Sequence, residues 1–106
     1  MKLKIFNGQI ITPYRIIPEG TILIDGNKIT AVSGGNIEAE DAINIDAGGN
    51  YIAPGFIDIH IHGGGGYSFM DATVEAFLKI AEVHAKFGTT SLSPTTLSCS
   101  KEDLIT

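Results

Sequence analysis

Two histidines one residue apart, His60 and His62, end the run Pro54-Gly55-Phe56-Ile57-Asp58-Ile59-His60-Ile61-His62, which passes straight into four glycines, Gly63 to Gly66. Neutral imidazole is a frequent ligand of divalent ions. Side chains alternate faces along a strand, so Phe56, Asp58, His60 and His62 share one side while Ile57, Ile59 and Ile61 share the other. Residues two apart on a strand lie about 6.6 Å apart at the backbone, and imidazoles leaning together close that gap onto one ion with bonds of about 2.1 Å. The same pair on an exposed antiparallel strand would be no more than its polar face. Here the opposite face is all isoleucine, Asp58 joins the histidines, and Pro-Gly and glycines bracket the run. That pattern matches a strand of a parallel β/α barrel, where reacting groups sit at the carboxyl end and the helix-facing side stays apolar. His60 and His62 are therefore candidate metal ligands.

The neighbouring residues have weaker claims. Asp58 either orients a ligand imidazole or accepts backbone hydrogen bonds in the barrel floor. The glycines, Gly64 and Gly65 foremost, either present N–H groups to a phosphate or sugar or form a pliant loop that admits substrate. They lack the strand-to-helix spacing of a nucleotide loop. His84 reads as a helix-surface or interface histidine. Thr95 and Thr96 follow Pro94 near the end of a second strand, and β-propensity alone explains them. The lone Cys99 forms no internal disulfide and suits a reducing compartment.

Residues 1 to 53 must supply the platform: short strands cut by turn signals, with no helical period, which predict a small all-β, sandwich-like unit. Asn7-Gly8 between Lys2–Phe6 and Gln9–Tyr14 predicts a hairpin. Asp25-Gly26-Asn27 predicts another, between Thr21–Ile24 and Lys28–Val32, and further short strands are expected at Ala42–Asp46 and Tyr51–Ala53. From 54 to 106 the grammar changes to strand, helix, strand and the start of a helix. Val74, Phe77, Leu78, Ala81 and Ala85 form the apolar stripe expected of a helix over Thr73–Phe87, with Asp71 or Thr73 as cap and Gly88 as stop. Thr89–Leu97 reads as the second strand. These are the first units of an incomplete TIM-type barrel, since a closed one needs eight such pairs and roughly 250 residues. The chain thus reads as an amino-terminal fragment of a larger enzyme.

Composition narrows the partners. With 43% hydrophobic and 18% charged residues the chain is globular in type, and its net charge of −5 argues against nucleic acid or an anionic membrane. No apolar stretch reads as a signal peptide or a membrane span, so a cytoplasmic location and small-molecule partners are expected. Bare strand edges and apolar faces would favour a homodimer.

The run Pro54-Gly-Phe-Ile-Asp-x-His-x-His62 after a small β-unit resembles the entry to the amidohydrolase superfamily. Within it, His62-Gly-Gly-Gly-Gly-Tyr-Ser-Phe-Met-Asp-Ala72 and Phe87-Gly-Thr-Thr-Ser-Leu-Ser-Pro-Thr-Thr-Leu97 resemble the N-acetylglucosamine-6-phosphate deacetylases. The resemblance implies a metal-dependent deacetylation of the sugar phosphate to glucosamine 6-phosphate and acetate. It further implies that His60 and His62 bind zinc or iron, as one or two ions in the complete enzyme. The general base and remaining ligands would lie beyond residue 106, so no catalytic residue is expected here. Other amidohydrolases, such as cyclic-amide hydrolases or nucleobase deaminases, would share the histidine pair, and a non-catalytic assembly module is the alternative of another class.

Overall fold

In a computed structural model that describes residues 1–105, the chain divides into two units, Met1–Pro54 and the residues from Gly55 onward. The first unit holds β1 (Lys2–Ile11), β2 (Ile16–Asp25), β3 (Lys28–Gly34), β4 (Ala42–Asp46) and β5 (Tyr51–Ile52). They form a sheet ordered β3-β2-β1-β4, with β5 also on β1. β1 pairs antiparallel with β2 along one edge, while β4 runs parallel to Lys2–Phe6 and β5 parallel to Gln9–Ile10 along the other.

That double pairing overturns the hairpin expected at Asn7-Gly8. β1 runs straight through these residues, with a bulge at Asn7, whose φ is +55° and whose Nδ2 donates to Asp46 Oδ1 at 2.7 Å. A Cβ at Gly8 would collide with the Ile52 side chain and with Ala47. An extended β1 satisfies three neighbouring strands, which a turn at Asn7-Gly8 would forfeit. The reversal falls instead at Thr12–Arg15, where the Thr12 N–H donates to the Arg15 carbonyl at 3.0 Å. The turn at Gly26-Asn27 forms where expected, with Gly26 at φ +60°.

Ile10 and Ile22 are the buried hydrophobic residues of this unit and Thr21 its buried polar one, and Thr21 Oγ1 donates to the Gly35 carbonyl at 2.7 Å. The core is thin, as so few short strands imply. The sandwich-like arrangement is a correction: among the described residues all five strands belong to one sheet, because β1 draws β2, β4 and β5 onto itself.

The second unit contains β6 (Phe56–Ile61), β7 (Gly63–Gly64), β8 (Tyr67–Ser68), a 3-10 turn (Phe69–Asp71), α1 (Val74–Ala85), β9 (Thr89–Pro94) and α2 (Lys101–Ile105). β6 and β9 pair in parallel, and a parallel pair requires a crossover such as the one that carries α1. Thr73 caps α1, its Oγ1 accepting the Ala76 N–H at 3.1 Å, and Gly88 at φ +94° lets the chain turn out. Asp71 does not cap α1: it ends the 3-10 turn that Ser68 caps, its carboxylate accepting the Ser68 N–H at 2.8 Å. Short of the expected Leu97, β9 ends at Pro94, where its partner β6 also ends in the pair of Ile61 with Pro94.

Ile61, Phe69 and Ile80 form the core here, flanked by Tyr67 and Leu92. Each such side chain contributes about 1.5–3 kcal/mol when removed from water. The face of α1 that packs differs from the expected stripe. Ala76 and Ile80 are fully buried, whereas Val74 and Leu78 are 77% and 65% exposed. Both sides of α1 are apolar enough to pack, so a 3.6-residue period could not tell which meets the strands. Likewise only Ile61 of the isoleucine face is covered, and Ile59 is 80% exposed.

Candidate metal centre

β6 presents His60 one residue before its end, and His62 follows immediately. The two rings meet edge-on, their planes at 77° and centroids 4.9 Å apart. Their Nε2 atoms lie 3.1 Å from each other. Two nitrogens each about 2.1 Å from a common ion must stand within about 4.2 Å of one another, so the pair fits a shared ion.

The Nδ1 of His62 lies 3.0 Å from the backbone carbonyl of Thr95. A carbonyl accepts only, so Nδ1 carries the proton and the His62 lone pair points from Nε2 toward His60. A hydrogen bond between the two Nε2 atoms would then take its proton from His60. His60 is exposed and His62 half-buried, so the site opens to solvent on the His60 side.

Asp58 does not orient either imidazole ring: its Oδ1 accepts the backbone N–H of His60 at 3.1 Å. Of its two sequence readings the backbone one holds. Gly64 and Gly65 lie in a tight hairpin, Gly63–Gly64 against Tyr67–Ser68, turned at Gly65 (φ +62°) and Gly66 (φ +86°). His84 stands behind it, its Nε2 3.2 Å from the Gly63 carbonyl, so this helix histidine braces the glycines instead of pointing to solvent. Thr95 is the residue that sequence reasoning set aside. Its position just past a proline on a strand parallel to β6 was the one available signal, and only strand pairing brings its carbonyl to His62. Among the described residues no third His, Cys, Asp or Glu joins the pair to complete a metal shell.

No protein-family model matches the chain. It is 36% identical over 106 residues to an N-acetylglucosamine-6-phosphate deacetylase of Haemophilus influenzae, an alignment covering 98% of this chain and 28% of that protein. The crystal structure of the Pasteurella multocida N-acetylglucosamine-6-phosphate deacetylase superposes with a TM-score of 0.90 at 30% identity, covering 99% of this chain and 28% of the other. This chain resembles the N-acetylglucosamine-6-phosphate deacetylases of the amidohydrolase superfamily. A shorter likeness, 44% over 63 residues, links it to a dihydroorotase of Syntrophotalea carbinolica, covering 58% of this chain and 15% of that one. The deacetylase likeness runs along nearly the whole chain, whereas the dihydroorotase one covers 58% of it. The chain spans little more than a quarter of the length of these deacetylases.

Proposed function

We propose that this chain forms the opening part of a divalent-metal-dependent hydrolase that deacetylates N-acetylglucosamine 6-phosphate, with His60 and His62 as two nitrogen ligands from the first strand of a β/α barrel. The observation that carries the reading is the 3.1 Å approach of the two Nε2 atoms at the end of a strand paired in parallel with its neighbour. The deacetylase likeness along the whole chain supplies the substrate class. When bound, the ion, zinc or iron, supplies Lewis acidity to an amide carbonyl and to water, both poorly reactive alone. His62 would hold its ligand lone pair aligned through the Thr95 carbonyl, while His60 would turn its own lone pair inward by carrying its proton on Nδ1. Gly64 and Gly65, one hairpin beyond His62, would border the sugar phosphate. The remaining ligands and the general base would come from polypeptide outside these residues.

A hydrolase of cyclic amides is the second reading, favoured by the higher local identity to dihydroorotases. The test is acetate release from N-acetylglucosamine 6-phosphate by the complete protein that carries this chain, loaded with zinc or iron and set against dihydroorotate as substrate. Acetate release that is lost on chelation supports the deacetylase; hydrolysis of dihydroorotate alone would replace it.

A further inference from the structure

β9 ends at Pro94, which pairs with Ile61, and the next residue ties back to β6 by two bonds. The Thr95 N–H donates to the Ile61 carbonyl at 2.8 Å, and Thr95 Oγ1 accepts the Ile61 N–H at 3.3 Å. The same hydroxyl donates to the Ser93 carbonyl at 3.1 Å, which orients its lone pairs toward Ile61. Between these ties the Thr95 carbonyl faces His62 Nδ1 at 3.0 Å. A carbonyl so held acts as a fixed acceptor, and a ring that donates to it has no freedom to place its proton on Nε2. Free imidazole in water exchanges between its two neutral forms, and one committed to metal binding must use only one of them.

From this geometry we infer that Thr95 is a positioning residue: clamped to Ile61 through its hydroxyl and amide, it uses its main-chain carbonyl to hold His62 in the Nδ1–H form with Nε2 free. His60 has no such clamp: Asp58 holds its main-chain N–H, and among the described residues its ring meets the Nε2 of His62 but no fixed carbonyl. The pair is asymmetric, one ligand preset and one that must shift its proton from Nε2 to Nδ1 when an ion enters. The inference deepens the metal reading proposed above, but its main readout is independent of any ion.

The experiment assigns the neutral tautomers of His60 and His62 in the metal-free chain by long-range nitrogen–proton correlation NMR, at a pH about two units above the ordinary histidine value near 6.5. The expected result is a protonated Nδ1 on His62 and a protonated Nε2 on His60. Thr95→Val, which keeps the shape but removes the acceptor for the Ile61 N–H, should move His62 toward the mixed tautomers of free imidazole, and Thr95→Ser should restore the single form. A protonated Nε2 on His62 in the unaltered chain would overturn the inference, as would an unchanged tautomer in a Thr95→Val chain whose amide spectrum is otherwise native. If that variant fails to fold, the assignment in the unaltered chain decides alone. Zinc added in excess should then perturb both rings; zinc that leaves them untouched would defeat the metal reading while the tautomers still decide the role of Thr95.

Discussion

His60 and His62 face each other through their Nε2 atoms at 3.1 Å, while the far side of the His62 ring is tied to the Thr95 carbonyl. One strand and the residue after it deliver both imidazoles, and the residue just past a second strand supplies the acceptor that one of them faces. Several consequences can be measured.

Two nitrogen ligands without a third make a weak site. The purified 106-residue chain should retain no stoichiometric metal after dialysis and show no turnover, by elemental analysis and acetate assay. In the complete parent protein, His60→Asn combined with His62→Asn should abolish tight binding of at least one ion and most deacetylation. Unchanged metal content and rate in that double variant would refute the ligand assignment.

The glycine hairpin should tolerate substitution unevenly. A Cβ on Gly63 would strike the main chain of Tyr67, which cannot move aside, so Gly63→Ala should cost about 1–3 kcal/mol in urea denaturation. On Gly64 the added Cβ meets His84 Nε2 at 2.6 Å, the tip of a side chain that can swing away. Gly64→Ala should therefore cost less, chiefly the bond between His84 and the Gly63 carbonyl, worth about 1 kcal/mol. Equal losses at the two positions would contradict the hairpin packing.

Burial separates two isoleucines that the sequence cannot rank. Ile80 is fully buried and Ile80→Ala should cost about 2–5 kcal/mol in thermal or urea unfolding. Ile59 lies exposed beside Ile57, and Ile59→Lys should leave monomer stability within about 0.5 kcal/mol. If two chains associate through that bare face, sedimentation should show Ile59→Lys shifting dimer to monomer. A dimer unaffected by the change would place the contact elsewhere.

Asp46 gives the acid response of the β-sheet unit a defined sign. Its carboxylate accepts the Gly48 N–H and the Asn7 side-chain amide, and these bonds hold its pKa below the ordinary carboxylate value. A group depressed on folding stabilises the fold fully above its unfolded pKa and loses that contribution as pH falls through the folded one. Melting temperatures of the chain and of Asp46→Asn should therefore differ most near neutral pH and converge in acid. Parallel curves across that range would show that these bonds do not favour the charged form.

Turn chemistry read well where local and global demands agreed. Gly26 sits where a two-residue loop needs positive φ, and Thr73 and Gly88 bound α1 as their types suggest. Asn7-Gly8 carries the same local signal as Gly26-Asn27, yet it became a bulge because β1 has partners on both edges. The α1 stripe failed for a related reason. Phe77 packs edge-on against Phe69 while Leu78 faces solvent, and no periodicity states which apolar side the strands will claim.

Residue types and spacing alone determined that His60 and His62 leave the backbone two positions apart at a strand end, because alternation is a property of any extended chain. They likewise determined the capped helix and the change of grammar near Pro54. Tertiary structure decided the bracing of Gly63 by His84 and the choice of Thr95 over Asp58 as the acceptor that faces the His62 ring. Each of these joins residues at least 21 positions apart, and such contacts arise only when strands and helix pack.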